Sequence, residues 1–436
     1  MKRTTWVILF SAMLLACFVN DADAQSRRER RRLKRLEEQR KERAEQQHRD
    51  VIRKPAPAPR PKPPKKDFDY PESEMKNRYR IDLLASFYLP ELVQDGKVAA
   101  KGKLPDKVIP SLKFYEGIVI AADTLKKLGY EFDIFVYDVA DELESTATLV
   151  NTDAFKGSDL IIGNISSGDF ALVANYAKKN DINFVSALSP SNQGVEQNPY
   201  FIMLQPTLET HCQTVEESIV RKNGNVKPLL FYRTNVQVDN TALASFITNG
   251  VLEYNKVPSD EMPSKEQIQP YLVKGRKNVA LMPIISDKYA ESIIRKLYEW
   301  FPEYDFEVWG MPSWDNMPAL KRPEAFPNTV IYFTSPFYFD PTTASGMAVV
   351  NAYKRKYGAQ PDNMVYRGYE TMFWYAYLLK KYGNIFNHQL WDNGGAPFTR
   401  YEVKPVKGAD DKLQYYENKH LYLYRYHSGS YMVEHQ

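Results

Sequence analysis

The chain has 436 residues, 43% of them hydrophobic, which suits one to three domains with sizeable cores, and its two cysteines exclude a disulfide framework. The formal net charge of +4 hides an imbalance: residues 25–66 hold 17 Lys+Arg against 6 Asp+Glu, a net of +11. The leader sums to zero, so residues 67–436 carry −7, and a basic arm precedes an acidic body.

Residues 1–24 read as a signal peptide. Lys2 and Arg3 precede an apolar run over 6–19, and Ala22, Asp23 and Ala24 give the small-residue pattern of a cleavage site before Gln25. The run is shorter than the roughly 20 residues that span a bilayer, and no later stretch is longer. An exported, periplasmic protein is expected. Leu14, Leu15, Ala16 and Cys17 offer an alternative, a lipobox with Cys17 lipidated. Cleavage after Ala24 is preferred, because Leu15 is less typical before the small residue. Cys212 is then the one mature cysteine.

Residues 25–53 form a charged arm with few apolar positions, too few for a long coiled-coil seam. It reads as a solvated helix or disordered tail, or as an electrostatic tether to an anionic envelope surface. Nucleic acid is not an expected partner behind an export signal. Residues 54–77 are a linker, and six prolines within 54–66 favour an extended polyproline II spacer.

The body alternates strands and helices. Strands are predicted at 79–90, 130–139, 159–162, 182–190 and 200–206, with helices over 110–129, 143–155 and from beyond Ser167 to near Asn180. A second series follows: helices over 207–221, 240–254 and 288–300, and strands at 226–234, 277–286, 305–313 and 328–336. Such βα alternation implies parallel sheets covered on both faces. Helices are predicted over 342–357 and 366–382, the latter rich in aromatic residues at core-packing spacing. Alternating strands close the chain from 398. The fold class expected is α/β, two doubly wound parallel-sheet lobes joined by a hinge. Residues 78–205 plus 337–396 form the first lobe, and 206–336 plus 397–436 the second.

No enzyme motif is present. "GNISSGD" at 163–169 has the wrong spacing for a nucleophile elbow. Asp169 stands where a P-loop needs lysine. No dinucleotide fingerprint occurs, and the six histidines make no metal-binding pattern. No catalytic residue, cofactor or metal is expected. Binding remains. Ser166 and Ser167 follow one strand, and Ser189 and Ser191 follow the next, so two hydroxyl-rich loops share a sheet edge. Ligands of open α/β sheets sit there, and helix N-termini favour an anionic group.

These residues resemble the type I periplasmic solute-binding proteins, typified by the leucine/isoleucine/valine-binding protein. The likeness runs from Arg80 to Tyr431. It rests on Glu116 and Gly117 with Ala121, Leu125 and Gly129, and on Ile161, Ile162 and Gly163 leading to Ser166 and Ser167. It continues in Ser189, Pro190 and Ser191, and in the run from Tyr366 through Arg367, Gly368 and Glu370. The resemblance implies that both serine loops hold a ligand carboxylate and that Tyr232 faces them from the opposite lobe. Ser286, Ser313, Trp314 and Tyr338 are further candidates on that face. The implied function is non-enzymatic binding of a small solute, an amino acid or similar, with a membrane permease as partner in ABC-type uptake. The hinge is expected near 205–207, 335–337 and 397–398. The alternative is a tethered envelope scaffold that regulates cell-wall synthesis through a cell-wall synthesis protein.

Overall fold

The computed structural model describes residues 67–94, 97–98, 104–165, 169–322 and 325–434. The leader with Cys17, the basic arm and the proline-rich start of the linker lie outside the described residues.

The first lobe is built around β1 (Tyr79–Ala85), buried at six of its seven positions, as a strand covered on both faces should be. It pairs in parallel with β2 (Phe132–Asp138) on one side and β3 (Leu160–Asn164) on the other. β4 (Asn183–Ser186) and β5 (Phe201–Met203) extend the parallel sheet. The connections carry α1 (Ile109–Lys127), α2 (Thr146–Asn151) and α3 (Phe170–Lys179). Alternate side chains serve opposite cores: Ile81, Leu83 and Ile162 pack on one face, Leu84 and Ile161 on the other.

The second lobe repeats the plan. α4 (Leu208–Asn223) leads into β6 (Leu229–Tyr232), then α5 (Gln237–Asn249), β7 (Asn255–Pro258) and β8 (Lys277–Leu281). α6 (Asp287–Trp300), β9 (Asp305–Trp309) and β10 (Thr329–Ser335) complete it. All pairings from β7 to β10 are parallel. Its core centres on Trp309, stacked at 4.2 Å on Tyr332, with Trp314 nearby.

The chain then returns to the first lobe with α7 (Ala344–Tyr357) and α8 (Asn363–Tyr382). α8 lies against α1 at two glycines. A Cβ on Gly117 would stand 2.0 Å from the Val365 carbonyl oxygen, and one on Gly368 would stand 1.9 Å from that of Phe114. Only hydrogen fits at either position.

The tail divides between the lobes. β11 (Val403–Lys407) pairs with β12 (Leu413–Asn418), and β12 joins β5 in parallel, giving the order β11-β12-β5-β4-β3-β1-β2. β13 (Tyr422–His427) lies antiparallel to β10 and carries β14 (Ser430–Glu434), giving β14-β13-β10-β9-β8-β6-β7. Both sheets are therefore mixed but mainly parallel.

Several sequence expectations need correction. Residues 403–418 belong to the first sheet, so the second lobe does not own the whole tail. The third crossover accordingly runs through 419–421, not 397–398. The helix expected over 143–155 is only α2, because Asp153 adopts φ 52 and ends it. α5 stops before Gly250, at φ 63, leaving room for β7, a strand the sequence pattern did not reveal. The end of the predicted linker is not a free spacer. Tyr70 donates to the Pro199 carbonyl at 2.8 Å, and Ser73 to that of Tyr382 at 2.7 Å, fixing it to the first lobe.

Candidate functional site

Three crossovers join the lobes, at residues 204–207, 336–343 and 419–421. A buried carboxylate and a buried amide tie the first and third of them together. Glu417 accepts from the Thr207 backbone N–H at 2.9 Å, from the Thr210 hydroxyl at 2.8 Å and from Lys419 Nζ at 2.6 Å. Asn418 donates to the Leu204 carbonyl at 3.3 Å. Glu370, on α8, accepts from the backbone N–H groups of Phe398 (3.0 Å) and Thr399. Burial pushes its carboxyl up to about 7, against the pull of those hydrogen bonds.

Two adjoining cavities open beside these crossovers. The larger, about 760 Å³, takes Gln205, Asp362, Asn363 and Arg367 from the first lobe's side and His211, Ile285, Ser313 and Thr334 from the second. The smaller, about 380 Å³, is lined by Tyr338, Tyr366, Glu370 and Phe398 among others. Asp315, Asn316, Ser335, Asn363 and Arg367 border both.

Polar atoms at this junction lack partners. Arg367 Nε, His211 Nε2 and Gln205 Oε1 are buried without a hydrogen bond, and all three residues line the larger cavity. The Arg367 guanidinium lies 4.2 Å from the centre of the Phe337 ring. Burial lowers its pKa, and the charge of Asp315 works against that. Asp315 shows the reverse: burial raises its pKa and Arg367 pulls it back. Yet the two form no ion pair within 4.0 Å. His211 Nδ1 shares a 2.7 Å hydrogen bond with the Thr334 hydroxyl, and burial holds the ring down at about 3, so it is neutral. Among the described residues, no group of three His, Cys, Asp or Glu is placed to hold a metal, and no helix is long and apolar enough to cross a membrane.

Comparison with solved structures covers nearly the whole body. An ABC transporter substrate-binding protein from Desulfitobacterium hafniense superposes with a TM-score of 0.54 at 14% identity, over 82% of this chain and 100% of that one. A branched-chain amino acid ABC transporter periplasmic ligand-binding protein from Burkholderia xenovorans gives 0.55 at 13%, over 82% and 94%. The chain has the type I periplasmic binding-protein fold. Full-length LpoA from Haemophilus influenzae gives 0.54 at 12%, over 83% of this chain but only 60% of LpoA. No protein-family model matches the sequence, and a search of curated proteins gives no match.

Within this binding-protein fold the predicted site residues scatter. Ser166 and Ser167 lie outside the described residues. Ser189 and Ser191 turn onto their own loop: Ser189 Oγ donates to the Ser191 carbonyl at 3.1 Å, and Ser191 Oγ accepts from the Gln193 N–H at 3.2 Å. Tyr232 packs against the second core and lines neither cavity. Ser286 caps α6 by accepting from the Tyr289 N–H. Trp314 is wholly buried, its indole N–H donated to the Ile284 carbonyl at 2.8 Å, so it is a core residue and presents no surface to a solute. Ser313 borders the larger cavity and Tyr338 the smaller. Arg367, Asp315, His211 and Gln205 were missed. One signal was available: Arg367 and Glu370 are the only charges among residues 363–379, in an otherwise apolar and aromatic helix.

Proposed function

We propose that the chain is an exported, non-enzymatic solute-binding protein that closes two lobes over a small ligand, an amino acid or similar, and delivers it to a membrane permease. The observation that carries this reading is the larger cavity between the lobes. Its volume of about 760 Å³ falls in the ~300–1,000 Å³ range of small-molecule sites. It holds unpartnered polar atoms that a ligand would satisfy, and buried groups left unpaired are costly. The fold agrees with it, as does the leader expected from the sequence. Native mass spectrometry of the full chain incubated with pooled amino acids tests the reading. Retention of one small solute per chain is expected, and a bare chain across all pools would contradict it.

A second reading is a tethered envelope scaffold that regulates cell-wall synthesis. The basic, proline-rich sequence before the body favours it, since a carrier that diffuses freely has no need of a tether. The fold's occurrence in LpoA is compatible with it. In that case the cavity would stay empty, and the full chain would be retained by a cell-wall synthesis protein.

A further inference from the structure

Resting on the solute-binding reading, we propose that the ligand is an aromatic amino acid. Its carboxylate pairs with Arg367, its ammonium with Asp315, and its ring enters the smaller cavity.

The charges come first. Arg367 and Asp315 border both cavities, carry opposite sign, and form no ion pair. A half-buried guanidinium with an unpartnered Nε is costly on its own. A carboxylate matches its planar fork of donors in a two-pronged bond. Asp315, opposite, is the acceptor for a cation. A zwitterion set between them gives each charge the partner it lacks. This differs from a carboxylate held by the serine loops, where Ser189 and Ser191 are already engaged with backbone.

The shape of the smaller cavity selects the side chain. Eight of its fifteen lining residues are aromatic. Several of their faces are taken: Phe333 stacks on Tyr424 at 7° between planes, Phe339 stacks on Tyr366, and Phe337 lies under Arg367. A sugar needs an open aromatic face, and few remain. Ring edges remain, and aromatic pairs favour edge-to-face contact. A flat ring fits such a slot better than a branched aliphatic chain.

Calorimetric titration of the full chain with L-phenylalanine tests this. Binding is expected. 3-Phenylpropionate, which lacks the ammonium, and phenethylamine, which lacks the carboxylate, should each bind at least about tenfold more weakly, as loss of a charged hydrogen bond predicts. L-Leucine should also bind more weakly than L-phenylalanine. Arg367→Gln should weaken phenylalanine binding at least about tenfold. If that variant does not fold, the ligand series on the unaltered chain still decides, with Asp315→Asn as the second variant. Leucine bound more tightly than phenylalanine, or phenylalanine bound equally by folded Arg367→Gln, would overturn the assignment and leave the solute-binding reading standing. Failure of every amino acid to bind would sink both.

Discussion

His211 and Glu370 sit on opposite sides of the cleft, and burial drives each toward its neutral form. The ring of His211 is held at about 3, below the usual ~6.5 of histidine. Between those values the unfolded chain binds the extra proton, so this group's contribution is full above pH ~6.5 and is lost as pH falls toward 3. Glu370 runs the other way. Its carboxyl is raised to about 7, so the folded chain binds the extra proton above the ordinary ~4.3. Its contribution is full below pH ~4.3 and is lost as pH rises through 7. At about 1.4 kcal/mol per pH unit, each limb is worth on the order of a few kcal/mol. Denaturant titrations across pH 4 to 8 should show His211→Gln flattening the acid limb and Glu370→Gln the neutral limb. Unaltered profiles in both variants would contradict these environments. Cys212 is wholly buried and its thiol is pushed up to about 12 by burial, which removes it from thiol chemistry at neutral pH.

Among the elements, the crossing of α1 and α8 positions the site, because α8 carries both Arg367 and Glu370. The close approach at Gly117 and Gly368 leaves no room for a methyl group. Gly117→Ala or Gly368→Ala should therefore cost about 1–3 kcal/mol through overpacking, read as a lower denaturation midpoint. An unchanged midpoint would contradict the packing. Much at this scale was legible in the sequence. β1 announced itself by apolar weight, α1 by its period and by Gly129, and α8 by its aromatic spacing. β7 was not legible, being four residues long, half exposed and ending in proline. Nor was the split of the tail, since only long-range pairing assigns β12 and β13 to different sheets. The cavity-lining charges were not legible as a group. Serines after strands suggested a ligand shelf, yet local turns and helix caps consume Ser189, Ser191 and Ser286. The charges proposed in their place come from α8 and from the turn after β9, and line one cavity only once the chain has crossed between lobes twice.

Across the whole molecule, two mixed sheets share three crossovers, two of them tied together by Glu417 and Asn418, with the cavities beside them. On the proposed function, these crossovers would serve as a hinge that moves lobes as bodies. A solute contacting both lobes would then stabilise a closed arrangement through its differential affinity for it. The most direct measurement is a thermal-shift screen of the full chain against amino acids, small peptides and muropeptides. A ligand present at 100 times its dissociation constant adds about 2.7 kcal/mol of stability. A clear rise in melting temperature with an amino acid, reduced in Arg367→Gln, is the predicted result. A well-folded chain whose melting temperature no ligand class moves would contradict the claim that this cleft receives a solute.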